Sequence, residues 1–437
     1  MHAGQPRVSL HTIGCRVNQA ETALLADRLK RDGYRLVEFG QPTDLFVLNT
    51  CSVTAQAEAQ CRYFVRRTLH RSPGAFVAVT GCYAQTGAEA LRRLPGIDLI
   101  VGGQYKMSLP DYLPAPSALE KRPLPRVLHT RTIDRDEFIH AGTGEAGTIR
   151  ANLKVQDGFS FMCSFCIIPF ARGHERSRQF EDVLREAGEL VARGHRELIL
   201  TGVNIGRYAC GGHSLLDLIK SLEQIEGLER IRMSSIEPTT IPAGLLEHMA
   251  ESRKLCRHLH IPLQSGDDRI LEAMNRRYGS RDYRRLIEEA VRLIPDVGIG
   301  TDLMVGFPGE GEEEFNATLA LAAELTFSYF HVFSYSERPG TAAGRLGKMP
   351  PQAAVRTRSH RLAELSRAKR LSFYQTWIGR TVRVLFENPD AGGLWTGWTE
   401  SYVRVGVPSR QDLTNRILPV LVTGVMDGLA VGRLGEC

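Results

Sequence analysis

The sequence predicts an α/β protein with an N-terminal parallel-sheet α/β domain, a partial (βα)6 TIM-type barrel and a small C-terminal β-barrel. Continuous apolar runs that alternate with helical patterns predict the first two parts, because strands of a parallel sheet are buried on both faces. Short alternating strands with Gly-rich turns after Trp377 predict the third part. The chain has 437 residues, of which 43% are hydrophobic, so it is long enough for several packed domains.

The first hundred residues contain four apolar runs with helical patterns between them. In the helical patterns the apolar residues recur three or four positions apart. Prolines then interrupt the pattern, so we predict a linker before the next domain. The predicted strands are residues 8–13, 44–49, 75–80 and 98–101, and the predicted helices are 21–30, 55–68 and 87–94.

A second series of strands and helices begins near residue 152. Six strand–helix units favour an incomplete TIM-type barrel, whose active residues should follow the carboxyl ends of the strands. We place the amino-terminal domain at residues 1–120, the linker at 121–148, the barrel at 149–370 and the small β-barrel at 371–437. The predicted strands are 153–156, 197–201, 230–234, 258–263, 298–305 and 327–333 in the TIM-type barrel, and 381–386, 401–407, 417–422 and 428–434 in the small one.

Composition and charge restrict the classes of function. The 55 Lys and Arg residues exceed the 49 Asp and Glu residues by six, which permits a polyanionic partner without requiring one. No run approaches about eighteen apolar residues, so we expect no membrane span. The first residues lack the apolar core of a secretory signal, and we therefore expect a cytoplasmic protein.

Three of the nine cysteines share one structural position. Cys15, Cys51 and Cys82 each follow one of three consecutive predicted strands. Because loops at the carboxyl ends of parallel strands converge, these thiols can meet and hold an iron–sulfur cluster. The alternative is three small buried residues. We interpret four further cysteines as core residues rather than ligands: Cys61, Cys210, Cys256 and Cys437.

Cys163 and Cys166 form a C-x-x-C pair after the first strand of the predicted barrel. Alone, this spacing is compatible with zinc, redox and iron–sulfur roles. A zinc site needs two more ligands, and the nearest candidate along the chain is His174. The sequence at 142–147 matches G-x-G-x-x-G, but it follows a polar linker rather than a strand, so we predict a loop.

The chain resembles the radical S-adenosylmethionine methylthiotransferases over essentially its whole length. The resemblance rests on the domain order and on the three amino-terminal cysteines. Three segments are similar to the branch that acts on threonylcarbamoyladenosine in tRNA: residues 14–21 (GCRVNQAE), 166–173 (CIIPFARG) and 399–405 (TESYVRV). Other branches usually carry Asp-Ser where this chain has Glu21 and Thr22.

This resemblance implies two 4Fe–4S clusters and S-adenosyl-L-methionine as cofactors. Cys15, Cys51 and Cys82 would hold one cluster, and Cys163 and Cys166 would belong to the other. The family motif for the second cluster is C-x-x-x-C-x-x-C, and its first position here is Phe159, which cannot ligate iron. Further residues would lie at the cofactor surface: Phe165, Asn204, Ser235, Glu237, Gln264 and Asp302. No residue is assigned a catalytic role from sequence.

The resemblance further implies a tRNA-modifying enzyme that adds a methylthio group to carbon 2 of N6-threonylcarbamoyladenosine at tRNA position 37. Its partners would be tRNA and an electron donor such as flavodoxin or ferredoxin. Two alternatives remain open. Phe159 favours a catalytically impaired homologue that binds tRNA, and within the enzyme class the substrate could instead be a ribosomal protein or isopentenyladenosine.

Three surfaces are candidates for contact with RNA. One is the basic segment 171–178, and another is the Arg-rich helix predicted at 350–373. The third is the small C-terminal β-barrel, identified by its resemblance as a TRAM domain, where aromatic side chains could stack on bases. These aromatic residues are Trp395, Trp398 and Tyr402.

Overall fold

The computed structural model describes residues 5–133 and 149–435, and it confirms the predicted α/β fold class. The amino-terminal part is a parallel sheet of six strands in the order β2-β1-β3-β4-β5-β6. Its central strands are buried along their whole length, as expected for a sheet covered on both faces. The elements are β1 (Arg7–Thr12), α1 (Arg16–Arg31), β2 (Arg35–Leu36), β3 (Leu45–Thr50), α2 (Ala55–Arg71), β4 (Phe76–Gly81), α3 (Cys82–Thr86), α4 (Ala88–Arg92), β5 (Leu99–Val101) and β6 (Arg126–Leu128).

The segment predicted as a linker supplies the sixth strand of this sheet. β6 pairs in parallel with β5, so the amino-terminal sheet continues to Leu128. Two 3-10 segments, Lys106–Tyr112 and Pro116–Ala118, precede it. β6 has three residues and two of them are exposed, so its sequence carries no apolar periodicity from which a strand could be predicted. The G-x-G-x-x-G sequence at 142–147 and Cys437 lie outside the described residues.

The central part is an open barrel of six parallel strands, as predicted. Three strands pair in the order β13-β10-β7 and three in the order β14-β15-β16, and isolated bridges such as Ser235 with His260 join the two halves. The elements are β7 (Ala151–Lys154), β8 (Gln156–Asp157), α5 (Ile168–Arg172), β9 (Arg176–Ser177), α6 (Phe180–Ala192), β10 (Glu197–Thr201), β11 (Ala209–Cys210), β12 (His213–Ser214), α7 (Leu215–Leu222), β13 (Arg230–Met233), α8 (Leu245–Glu251), β14 (His258–His260), α9 (Asp268–Ala273), α10 (Ser280–Leu293), β15 (Gly298–Val305), α11 (Glu312–Glu324) and β16 (Tyr329–Ser334).

The carboxyl-terminal part is a closed barrel of five strands in the order β17-β18-β19-β21-β20. The sequence predicts only four of them. β18 was missed because it has four residues with Gly397 among them, and glycine inside a strand weakens the pattern. Gly397 is needed there, because a Cβ at this position would lie 2.3 Å from the Leu385 carbonyl oxygen. The elements are α12 (Gln352–Gln375), β17 (Thr381–Pro389), β18 (Trp395–Trp398), β19 (Arg404–Val407), β20 (Ile417–Met426) and β21 (Leu429–Leu434).

The Arg-rich helix α12 packs on the central barrel and does not present all its basic side chains to solvent. The Arg358 guanidinium is buried and donates to the Glu310 carboxylate at 2.5 Å. Lys369 donates to the carbonyl oxygens of Ala323 and Leu325 at 2.6 and 2.5 Å. These two basic side chains of the predicted RNA surface therefore pack helix α12 against the central barrel. None of the helices within the described ranges is long and apolar enough to cross a membrane.

Two buried arginines of β13 attach the carboxyl-terminal barrel to the central one. Arg230 donates to the carbonyl oxygens of Trp398 and Arg383 at 2.9 and 2.7 Å. Arg232 donates to those of Thr399 and Glu400 at 2.9 and 3.1 Å. The charge of Arg232 is balanced by the buried Glu197 carboxylate, which accepts from its Nε at 2.7 Å. The interface thus depends on buried cations that satisfy backbone carbonyls.

We predict that Arg232→Ala lowers the free energy of unfolding by about 3 to 5 kcal/mol, because it removes the nearest cation from the buried Glu197 carboxylate and leaves two carbonyl groups without their donor. Urea unfolding and the rate of proteolysis around residues 376–380 measure the effect. Arg383→Gln is the matched control, because it removes an exposed ion pair with Glu229 at the same interface and should cost about 0 to 1 kcal/mol. Equal effects of the two substitutions would contradict the prediction.

Candidate functional site

The structure brings the three amino-terminal cysteines to one edge of the parallel sheet. β1, β3 and β4 are neighbours, and one of the cysteines follows each of them. Cys15 is the exposed N-cap residue of α1, whereas Cys51 and Cys82 are buried. Cys61, by contrast, lies in the middle of α2 and is fully buried in the apolar core, as predicted.

Two glycines allow the cysteine loops to approach one another closely. Gly14 precedes Cys15 with a φ of 106°, and a Cβ there would lie 2.7 Å from the Cβ of Cys51 and 3.0 Å from its Sγ. Gly81 precedes Cys82 with a φ of 99°, and a Cβ there would lie 2.4 Å from the Thr50 carbonyl oxygen. An L side chain at either position would be strained and would also push the loops apart.

The three thiols lie close enough to influence one another. Burial raises the pKa of Cys51 to about 12, and the neighbouring Cys82 and Cys15 add to the rise. Burial also raises the pKa of Cys82, but the charges of Arg172 and Lys106 oppose it. Within the described residues, the only His, Cys, Asp or Glu group whose ligand atoms all lie within 4.8 Å is His260, Asp302 and His331. The cysteine sulfurs are therefore spaced more widely than the ligands of a single ion.

The second cysteine pair occupies a turn that docks on the end of α9. The Cys166 N–H donates to the Cys163 carbonyl at 3.0 Å, which closes the turn. Ser164, between them, donates its hydroxyl to the Ala273 carbonyl at 2.7 Å. Phe165 packs edge-on against Phe307 in a small apolar cluster. This predicted cofactor residue therefore also anchors the turn.

An arginine that the sequence did not indicate sits beside this turn. The Arg276 guanidinium donates to the Cys163 sulfur at 3.3 Å and forms an ion pair with Glu237. Burial raises the pKa of Glu237, and Arg276 opposes that rise. A cation beside a thiol favours the thiolate, so Arg276 is suited to a metal-binding or reactive sulfur. Its only sequence signal is the pair Arg276-Arg277 shortly after the helix α9, which is equally typical of a solvated surface.

A cavity of about 450 Å³ lies between the three-cysteine edge, the carboxyl ends of the barrel strands and the carboxyl-terminal barrel. All three parts of the chain contribute to its wall, which agrees with the position predicted for active residues of a TIM-type barrel. The His260 Nε2 lies 3.0 Å from the Asp302 carboxylate inside it. Lining residues include Cys15, Arg16, Ser235, His260, Asp302 and Tyr402.

Three of the predicted cofactor residues, Asn204, Glu237 and Gln264, do not line the cavity. Asn204 is buried, and its Oδ1 accepts from Thr240 at 2.9 Å, while its Nδ2 has no hydrogen-bond partner among the described residues. Gln264 has a φ of 70°, and its N–H donates to the Asp302 carbonyl at 2.8 Å. Ser235 and Asp302 line the cavity, and Glu237 belongs to the Cys163 side. The predicted cofactor residues are therefore divided between the cavity wall and the region beside Cys163.

Comparison with known proteins identifies the family. Residues 7–102 match the Uncharacterized protein family UPF0004, and residues 153–322 match the Radical SAM superfamily. The chain is 34% identical to Threonylcarbamoyladenosine tRNA methylthiotransferase MtaB of Bacillus subtilis, over 95% of this chain and 93% of that protein. The chain belongs to the radical S-adenosylmethionine tRNA methylthiotransferases.

Two further comparisons concern the substrate and the fold. The tRNA-2-methylthio-N(6)-dimethylallyladenosine synthase of Cereibacter sphaeroides is 35% identical over 98% of this chain and 99% of its own length. Relatives named for two substrates thus match about equally well. Among solved structures, the radical S-adenosylmethionine methyltransferase TsrM from Kitasatospora setae shares the fold, with a TM-score of 0.54 and 14% identity over 78% of this chain and 74% of that one.

Membership of this methylthiotransferase family implies an enzyme that transfers a sulfur-containing group and uses S-adenosylmethionine and a 4Fe–4S cluster. The turn with Cys163 and Cys166 does not fit a cluster held by three thiolates. Phe159 takes the first position of the three-cysteine motif, where its ring is buried and packs on Phe161 with centroids 5.5 Å apart. Cys210 lies in the β11–β12 hairpin, where its thiol donates to the Gln179 side chain at 3.2 Å.

Two of the surfaces predicted to contact tRNA are occupied by internal contacts in this methylthiotransferase. In segment 171–178, Arg172 and Arg178 are buried in ion pairs. In the carboxyl-terminal barrel, the Tyr402 ring stacks between Trp398 and His258, with centroids 4.3 Å from each. These aromatic side chains therefore join the two barrels and are not free platforms for bases. They are covered because the turn that carries Tyr402 packs against the central barrel.

A buried ionic cluster joins the amino-terminal domain to the segments of the central barrel that flank the C-x-x-C pair. The Glu21 carboxylate accepts from Lys106, from Lys154 at 2.6 Å and from Arg172 at 3.0 Å. Asp157 pairs with Lys154, Arg172 and also with Arg176 at 2.7 Å. Four cations thus surround two carboxylates. Burial alone would raise the pKa of Glu21, but Arg172, Lys106 and Lys154 hold it well below its usual range.

The buried amide of Asn18 connects this ionic cluster to the cysteine loops. Its Nδ2 donates to the carbonyls of Ile13 and Thr50 at 2.9 and 3.0 Å, next to Cys15 and Cys51. Its Oδ1 accepts from Arg172 at 2.6 Å. The loops that carry two of the cysteines are therefore positioned by a side chain that the central barrel itself holds in place.

We predict that Glu21→Gln destabilises the protein by about 3 to 5 kcal/mol at pH 7, because four buried cations would face a single carboxylate. The Glu21 pKa is depressed on folding, so its contribution is complete above the unfolded value of about 4.3 and is lost as the pH falls toward the folded value. Urea unfolding of wild type and variant should therefore converge at acid pH. Glu89→Gln, at an exposed pair with Arg93, is the control and should cost about 0 to 1 kcal/mol. A similar loss in both variants would contradict the prediction.

Proposed function

We propose that this protein adds a methylthio group to carbon 2 of N6-threonylcarbamoyladenosine at position 37 of tRNA. The observation that carries the proposal is a set of hydrogen-bonding side chains, Arg16, His258 and His260 among them, in the wall of the 450 Å³ cavity. A threonylcarbamoyl group carries a carboxylate and a hydroxyl, whereas a dimethylallyl group is apolar. Hydrogen-bonding histidines and an arginine in the wall suit the first group, because a buried polar side chain left unpaired beside an apolar one is costly.

We propose that Cys15, Cys51 and Cys82 hold a 4Fe–4S cluster at the edge of this cavity. Three thiolates at wide spacing are the donor set that such a cluster requires. The excess positive charge of the buried ionic cluster beside Cys82 supports this assignment, since deprotonated thiolates are anionic. When bound, the cluster would supply or position the transferred sulfur. The chain's own residues would orient the nucleoside and exclude water from the cavity.

The test is nucleoside analysis of tRNA from a host that contains threonylcarbamoyladenosine and dimethylallyladenosine but lacks the 2-methylthio derivative of either. Expression of this protein should yield 2-methylthio-threonylcarbamoyladenosine only. Cys51→Ala should abolish the product and the iron bound at this site after anaerobic reconstitution. Cys61→Ala is the matched control, because Cys61 is a buried core residue of the same sheet. Methylthiolation of dimethylallyladenosine instead, or full iron loading of Cys51→Ala, would refute the proposal.

A second candidate function is a tRNA-binding homologue with impaired catalysis, and Phe159 is the observation that favours it. The buried benzyl ring occupies the position of a family ligand and offers no donor atom. With two thiolates, a cluster at this turn would be held less firmly and would have an altered reduction potential. In this second candidate function, the protein keeps the fold and still binds tRNA but does not catalyse the reaction.

Phe159→Cys separates the two candidates. If catalysis is impaired, this substitution should raise both the iron bound at the turn and the anaerobic formation of deoxyadenosine from S-adenosylmethionine with a strong reductant. Phe161→Cys is the control, because it places a thiol two residues away outside the motif and should leave both values unchanged. If wild type forms deoxyadenosine as fast as Phe159→Cys, the impaired-homologue candidate is wrong.

A further inference from the structure

One cation in the wall of the cavity has no anionic partner in the part of the chain that the structure describes. Arg16, the first residue of α1, donates from its guanidinium to the neutral Tyr402 hydroxyl at 3.1 Å. Across residues 5–133 and 149–435, no carboxylate lies within ion-pairing distance of it. The other arginine of the wall, Arg172, is already bound by Glu21 and Asp157. Arg16 is therefore the lining cation whose charge is not balanced by the protein.

The rest of the wall does not supply the missing negative charge. Its one carboxylate, Asp302, lies 3.0 Å from the His260 ring nitrogen. Burial lowers the pKa of His258 well below its usual range and also lowers that of His331, so these rings are neutral at physiological pH. An arginine beside neutral rings at a partly enclosed surface is a site for an anion.

Two buried polar atoms of the same wall lack a hydrogen-bond partner among the residues that the structure describes. They are Nδ1 of His258 and Oγ of Ser234, and both residues line the cavity. The side chain of His258 is almost fully buried, and its ring stacks on Tyr402, so its free nitrogen cannot turn to bulk water. Buried polar atoms without a partner mark a place where a polar ligand completes the hydrogen bonding.

We propose that Arg16 binds the carboxylate of the threonylcarbamoyl group and thereby distinguishes this substrate from adenosines with apolar N6 substituents. This inference rests on the proposed function. Tyr402 acts as a positioning residue, because its hydroxyl holds the guanidinium and its ring is fixed between Trp398 and His258. The carboxyl-terminal barrel thus contributes to substrate choice inside the cavity.

The positive charge of Arg16 favours an anionic ligand, and a tRNA molecule offers two kinds of anionic group. One is the threonyl carboxylate, and the other is a backbone phosphate next to the modified nucleoside. The cavity favours the carboxylate, because Cys15 lines the same wall directly beside Arg16. A group that enters this wall is therefore adjacent to the proposed sulfur source, where the modified base must lie.

Binding of anticodon stem-loops to the full-length protein tests the assignment. The stem-loops carry threonylcarbamoyladenosine, its carboxamide analogue in which the carboxylate is a neutral amide, or unmodified adenosine. Wild type should prefer the carboxylate over the carboxamide by about tenfold to a hundredfold, the size of a charge-assisted pair. Arg16→Gln should reduce that preference to about one, and Arg16→Lys should retain part of it. Tyr402→Phe should reduce the preference about twofold to threefold.

Lys30→Gln is the matched control, because it removes one positive charge from the exposed far end of the same helix. It should weaken all three stem-loops equally and leave the preference unchanged. Thermal unfolding of each variant verifies that the fold is retained.

Two results would overturn the inference: a wild-type preference near one, or an equal loss for all three stem-loops in Arg16→Gln, which would assign Arg16 to a phosphate. If either occurs while nucleoside analysis still finds the 2-methylthio derivative of threonylcarbamoyladenosine, the proposed function stands and only the role of Arg16 is wrong. If that derivative does not form but the carboxylate preference is present and depends on Arg16, the recognition site stands and turnover fails.

Discussion

The geometry of the site depends on the buried carboxylate of Glu21. It lies on the amino-terminal sheet domain, yet two of its three cationic partners, Lys154 and Arg172, belong to the central barrel. Arg172 in turn bonds Asn18, whose amide holds the carbonyls before two of the cysteines. Separating the two domains would leave several charges buried without partners, so the ionic cluster fixes the distance between the two cysteine-bearing regions.

The same contacts have an electrostatic consequence for the amino-terminal cysteines. Burial of a thiol opposes its ionisation, and Cys51 and Cys82 are both buried. Arg172 and Lys106 oppose that effect at Cys82. A set of cations that joins two domains therefore also favours the thiolate state of Cys82. Arg172 thus both joins the two domains and acts on the thiol of Cys82. It is therefore buried, although its segment has the basic composition of an RNA-binding surface.

The cavity is closed by a part of the chain far away in sequence. Tyr402 belongs to the carboxyl-terminal barrel, yet it bonds Arg16 near the start of the chain and stacks on His258 of the central barrel. Arg230 and Arg232 hold the turn that carries it by bonding four carbonyl groups. An arginine is suited to this task because its planar fork can donate to several acceptors at once. The third barrel is consequently part of the wall of the candidate site.

The sequence by itself determined the α/β class, the six barrel strands and the common position of Cys15, Cys51 and Cys82, because apolar periodicity and the placement of residues after strands are local properties. It also located Phe159, since a motif position is defined by spacing along the chain. Tertiary structure decided the partners of Arg16, Arg276 and Tyr402, and it decided that β6 and β18 complete their sheets. Whether a charged side chain faces solvent, a carboxylate or a cavity depends on residues hundreds of positions away, and a short strand is stabilised by its neighbours rather than by its own pattern.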